Sequence, residues 1–227
     1  MSEAVTGFIA RYGAMLLRET GNTLIMTGMA TLFAYILGLP MGVLITISHP
    51  RGIWPHATFH RVLGWVVNIG RSLPFIILIV LLFPLTKLIV GTKLGVLGAI
   101  VPLIVAAAPF VARMVETSLA EVDDGVIEAA QSMGATTWQI VWKFYLPEAL
   151  PSLTLGGSIS IISILAYTAI AGAVGAGGLG DVAVRYGYHR SEPVVLVVTA
   201  VLLILIVQLI QSLFNRLSRR IDKRIRR

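Results

Sequence analysis

Five stretches of this chain, residues 21–48, 62–86, 94–112, 149–170 and 193–215, contain no Asp, Glu, Lys or Arg except Arg71. Apolar runs of this length reach across about 30 Å of hydrocarbon at about 1.5 Å per residue. Lipid offers no water to backbone N–H and C=O groups, so each run has to be a helix that satisfies its own. The expected fold class is therefore an all-α polytopic membrane protein with five transmembrane helices. Composition agrees: 56% of the 227 residues are hydrophobic, 13% are charged, and the mean hydropathy is +0.87. That balance excludes a soluble globular domain.

Other classes fall away for chemical reasons. There is no cysteine, hence no disulfide and no thiolate metal site, and the four histidines are scattered. The spans hold no Asp, Glu or His, which a proton- or sodium-coupled secondary transporter would need at membrane depth. They also hold no paired carboxylates and no nucleophile with its base, so no enzyme site is visible. A channel or a membrane scaffold remains open on these grounds alone.

Charge sets the expected orientation. Seven of the eighteen Lys and Arg lie in the tail 215–227. A cytoplasmic tail resting on anionic lipid accounts for them without a nucleic-acid partner. Five spans then place the N-terminus outside. Eleven Lys and Arg fall inside and six outside, with Arg71 uncounted. The chain divides into an N-terminal segment 1–20, a transmembrane domain 21–215 and a basic cytoplasmic tail 216–227. Glu3, Arg11, Arg18 and Glu19 interrupt any signal-peptide core, and residues 4–17 read as a short amphipathic helix at the membrane surface.

Within the spans three features stand out. Arg71 is the only intramembrane charge; it has either a functional role or a structural one, bonding carbonyls freed by Pro74 or snorkelling. Ile170 is a bulky residue among small ones in 167–172 and is a candidate gate. Its alternative is a lipid-facing or core position. The stretch 172–180, Gly-Ala-Val-Gly-Ala-Gly-Gly-Leu-Gly, is too glycine-rich for a helix interior and lacks the lysine and preceding strand of a phosphate-binding loop. It reads as a flexible link at the outer face.

The polar loop 118–147 carries the most pattern. Asp123, Asp124 and Gly125 form a turn with capping residues, a short helix bears Glu128, and Gly134 breaks it through a left-handed turn. Thr136 or Thr137 caps a second helix on which Trp138, Val141, Trp142 and Tyr145 fall at helical spacing as one apolar stripe. Such a stripe suits either interfacial anchoring or insertion into a partner. Upstream, Glu116 lies three residues after Arg113 and pairs with it near the inner face.

Glu128-Ala129-Ala130, three residues, Gly134, and then Leu146-Pro147 resemble the cytoplasmic loop motif of ABC-importer permeases, with Phe144 where that family has Ile. Residues 68–78, 101–103, 107–116, 172–180 and 186–188 are similar to the methionine-uptake subfamily. The resemblance implies an ABC type I importer permease fold in the bacterial cytoplasmic (inner) membrane. It implies that Glu128, Ala129, Ala130, Gly134, Leu146 and Pro147 couple the chain to a separate ATPase, with Glu128 and Gly134 central. It also implies a homodimer, two ATPase copies that bind ATP and Mg, and no cofactor in this chain. A substrate-binding lipoprotein would dock at the outer face, and the cargo would be D- or L-methionine or another small amino acid.

Overall fold

The computed structural model describes residues 2–221, all of it helix and connection. Residues 222–227 of the basic tail lie outside the described residues. Helix α1 runs Ser2–Ile47, α2 Ala57–Ser72, α3 Phe75–Leu81, α4 Phe83–Val90 and α5 Gly95–Leu119. Then follow α6 Asp124–Ser132, α7 Thr137–Ile140, a π-helical turn Val141–Tyr145, and α8 Leu146–Glu148. Helix α9 spans Leu150–Ala173, α10 Gly178–Val182 with a π-helical extension Ala183–Tyr188, and α11 Pro193–Ile221. Among the described residues four helices are long and apolar enough to cross a membrane, or five if the bent pair α2 and α3 is one span.

Two expected boundaries move. Residues 2–20 are not a separate surface helix, because α1 continues through them into the first span. At the junction Thr20 Oγ1 donates to Leu16 O (2.7 Å) and Thr23 Oγ1 to Glu19 O (3.0 Å). The polar side chains fold back onto the helix instead of ending it. The second span, expected to be continuous over 62–86, is broken, and α2 and α3 are bent by 99°. Leu73 precedes Pro74, whose ring disfavours helical backbone one residue upstream, and Leu73 is extended at φ −87°, ψ 128°. Arg71 thereby becomes a residue of the last turn of α2, where a cation complements the helix dipole.

The described residues pack as two units. One is drawn from 2–31, 74–104 and 161–209, the other from 32–73, 105–160 and 210–221. In the first, Tyr12 and Leu16 of α1 cluster with Leu179, Val182 and Val195, and Phe75 stacks on Tyr167 at 4.9 Å. In the second, Ile45, Val67 and Ala112 share a core. There α1 approaches α5 so closely that a Cβ on Gly42 would lie 2.5 Å from Ala112 O and 2.6 Å from Val115 Cβ. Small residues at crossings are how helices gain packing where no hydrophobic drive separates them from lipid.

In the same unit Arg113 of α5 holds α2. Its guanidinium pairs with Glu116 (2.5 Å), as the spacing suggested, and donates to Asn68 Oδ1 (2.8 Å) and Gly64 O (3.4 Å). Gly42→Ala should destabilise the protein by about 1–3 kcal/mol through overpacking. Gly28→Ala, where an added Cβ meets nothing within 4 Å, should be neutral or slightly stabilising. Thermal midpoints of the two purified variants check this; equal midpoints would refute the close contact.

Candidate functional site

The loop after α5 builds a small, self-capped helix. Asp123 is the N-cap of α6, and its Oδ1 accepts from Gly125 N at 2.7 Å. At the other end Ala135 N donates to Ala130 O (3.1 Å) and Gly134 N to Gln131 O (2.9 Å). These two bonds form a Schellman closure, which needs a left-handed residue between them; Gly134 supplies it at φ +77°. Thr136 then caps α7 in a reciprocal box with Gln139: Thr136 N donates to Gln139 Oε1 at 2.8 Å, and Gln139 N to Thr136 Oγ1 at 3.4 Å. Of the two threonines that the sequence offers as caps, the Thr-x-x-Gln signature selects Thr136.

Helix α6 has two distinct faces. Ile127 and Ala130 are buried, while Glu128, Ala129, Gln131, Met133 and Gly134 are exposed. The six residues of the loop motif thus divide. Ala130 faces the protein and Leu146 is half-buried, whereas Glu128, Ala129, Gly134 and Pro147 face outward. What results is a short rigid helix seated by its inner face and free along its outer one.

The aromatic stripe expected on the second helix does not form as one face. Beyond Ile140 the backbone widens into the π turn Val141–Tyr145. A π turn bonds five residues apart, so the 3.6-residue register is lost. Trp138 and Trp142 are 61% and 64% exposed, while Ile140, Val141 and Tyr145 are buried. Burial, with Asp124 nearby as a smaller influence, pushes the Tyr145 phenol above its ordinary range, so it is a neutral hydroxyl at any physiological pH. Beside α6 opens a cleft of about 550 Å³ lined by His49 and Arg51 on one wall and by Glu116, Asp124 and Glu128 on another.

The remaining sequence candidates lie elsewhere. Ile170 is 38% exposed on α9. Arg71 is exposed and makes no hydrogen bond or ion pair among the described residues, so neither carbonyl bonding nor pairing holds it. The glycine-rich stretch is not a loose link. Val174 N and Ala176 N donate to Ala171 O, Gly175 O accepts from Gly95 N at 2.9 Å, and residues 178–188 are helical. Sequence reasoning missed Glu19, which lies two residues before the expected first span. It is buried, and its carboxylate accepts from Gly178 N at 2.8 Å.

Helices long and apolar enough to span a membrane, no strand among the described residues, and a helix–glycine–helix loop of two faces are the features of a multi-pass transport permease. Residues 35–227 match the family described as the binding-protein-dependent transport system inner membrane component, and the chain belongs to that family. It is 50% identical over 210 residues to the probable D-methionine transport system permease protein MetI of Vibrio cholerae, covering 92% of this chain and 93% of that protein. The protein of the same description from Pasteurella multocida is 47% identical over 206 residues, covering 91% and 95%. A solved structure of the MetNI methionine ABC transporter in an inward-facing conformation superposes with a TM-score of 0.93 at 46% identity, covering 94% of this chain and 99% of that one. The fold is the type I importer permease fold, and the chain is an ABC-importer permease of the inner membrane.

The two faces of α6 predict opposite responses to the same change. Ala130→Leu should destabilise the protein by about 1–3 kcal/mol, and Ala129→Leu by less than about 0.5 kcal/mol. Thermal unfolding of both purified variants tests the assignment of faces.

Proposed function

We propose that this chain forms the translocation pathway of an ATP-driven importer of methionine, D- or L- or both, as a homodimer working with two copies of a separate ATPase. The observation that carries the docking part is the outer face of α6. Glu128, Ala129, Gln131 and Met133 are exposed on a helix capped at both ends by its own loop. The near relatives named for D-methionine transport and the MetNI likeness support the cargo.

In this reading α6 seats in the ATPase, which binds ATP and Mg and does the hydrolysis; this chain supplies no cofactor. Glu128 and Gly134 are central, the first as an outward charge and the second as the turn that holds the helix in shape. Ala129 lies on the docking face and Ala130 anchors the helix from behind. Leu146 and Pro147 lead into α9. Nucleotide favours one state of the pathway only through unequal affinity for the two, and α6 is the body that transmits the difference. Ile170 from each protomer closes the pathway on the dimer axis. Arg71, at the end of α2, is a structural charge favoured by the helix dipole. The N-terminus lies outside and the tail in the cytoplasm, and a substrate-binding lipoprotein delivers the amino acid from outside.

A tagged chain drawn from gently solubilised native membranes should bring down one ATPase. Glu128→Lys should cut its recovery about tenfold or more while dimer yield stays unchanged. Retention of the ATPase by Glu128→Lys and by Ala129→Trp would remove α6 from the interface. Uptake of labelled D- and L-methionine against other small amino acids, in vesicles holding the full complex, settles the cargo.

A further inference from the structure

Glu19 is the only charged residue that is buried among the described residues. A carboxylate withdrawn from water is destabilising unless its oxygens find donors. Glu19 Oε2 accepts from Gly178 N (2.8 Å) and from Asn22 Nδ2 (2.9 Å), and its Oε1 faces Arg18 Nε at 3.3 Å. One turn further along α1, Thr23 Oγ1 accepts from Leu179 N at 2.8 Å. Gly178 and Leu179 are the first residues of α10, whose opening N–H groups have no acceptor within their own helix. The N-cap position is Gly177, which has no side chain to offer. Helix α1 therefore caps α10 from 159 and 156 residues away in sequence.

The fit leaves no slack. Gly178 sits at φ +79°, and a Cβ on it would lie 2.7 Å from Thr23 Oγ1 and 2.9 Å from Met26 Cε. Two residues on, Gly180 packs directly on the Ala169 backbone, and Gly172 packs on Asp181 N, each closely enough that a Cβ would collide. Ala169 adjoins Ile170. A continuous set of contacts thus runs from the Glu19 carboxylate through α10 to the C-terminal end of α9.

We infer that Glu19 and Thr23 are positioning residues for the pathway: a cap supplied by α1 that holds α10 against α9 and fixes the segment bearing Ile170. This rests on the importer reading above. Movement of the α9 end away from α1 has to break the two caps, and movement together with α1 keeps them. The pair thereby ties the first helix to the segment that gates.

Hydrogen–deuterium exchange on the purified complex, joined to vesicle uptake and ATP hydrolysis, tests it. Glu19→Ala should raise exchange at Gly178–Val182 about tenfold and leave Asp124–Ser132 unchanged. It should also lower methionine moved per ATP hydrolysed about tenfold. Glu19→Gln keeps an oxygen acceptor and should stay within about twofold of the parent. Thr23→Val should loosen Leu179 and Thr23→Ser restore it, which decides the matter even if Glu19→Ala fails to fold. Unchanged exchange in the Thr23→Val variant, or Gln behaving as Ala, overturns the cap. Raised exchange with parental coupling overturns the positioning role and leaves a structural clasp. A parent complex that moves no methionine sinks the importer reading instead, and the exchange measurements still judge the cap.

Discussion

The demand that every backbone polar group find a partner without water shapes this chain more than any side chain does. In the apolar spans the helix meets that demand alone, so those spans need little sequence information beyond hydrophobicity. Helix α11 shows the extreme: only 11% of its most apolar window is buried in the protein, an exposure that hydrocarbon makes harmless. Helix ends cannot meet the demand internally, since four N–H groups are left over at the N-terminus and four C=O groups at the C-terminus. The specific residues of this protein accordingly gather where helices stop.

Those stops are legible in the sequence to different degrees, and distance along the chain explains the difference. Asp123 capping α6 and Gly134 closing it act within a few residues, so local pattern alone reveals both. The five apolar runs are equally plain. The break at Leu73–Pro74 is visible as a proline yet lies inside an apolar run that reads as one span, because helices in membranes tolerate prolines; the extended Leu73 shows that here the helix ends. The widened turn at Val141–Tyr145 is invisible to a 3.6-residue count, which puts Trp138 and Trp142 on the same face as Val141 and Tyr145. Glu19 is hidden for another reason. Its partner Gly178 lies 159 residues on, and no periodicity reports a contact of that kind.

The glycine-rich stretch makes the same point from the opposite side. Composition rightly denies helix to 174–177, between the end of α9 and the start of α10, and from this the stretch looks loose. Yet glycines lower helix propensity and permit close backbone approach by one property, the missing Cβ. At Gly172 and Gly180 it is close approach that the structure uses. A glycine run next to a polar buried residue elsewhere in the chain is as consistent with a tight seat as with a hinge.

Two capping schemes therefore coexist, with different mechanical consequences. Helix α6 carries its own caps, Asp123 before it and the Gly134 closure after it, so it keeps its shape however it is pushed. Such a helix suits the passing of force to or from another protein. Helix α10 borrows its caps from α1 and its seat from α9, so its integrity depends on where those two helices stand. A displacement that parts α10 from α1 leaves the N–H groups of Gly178 and Leu179 without acceptors at once and Glu19 with only Asn22 and Arg18 of its own helix, and the loss is concentrated in a few hydrogen bonds rather than spread over a packed surface. An element of that kind favours two discrete arrangements over a continuum, which is the property a gate requires and a transmitting helix must avoid.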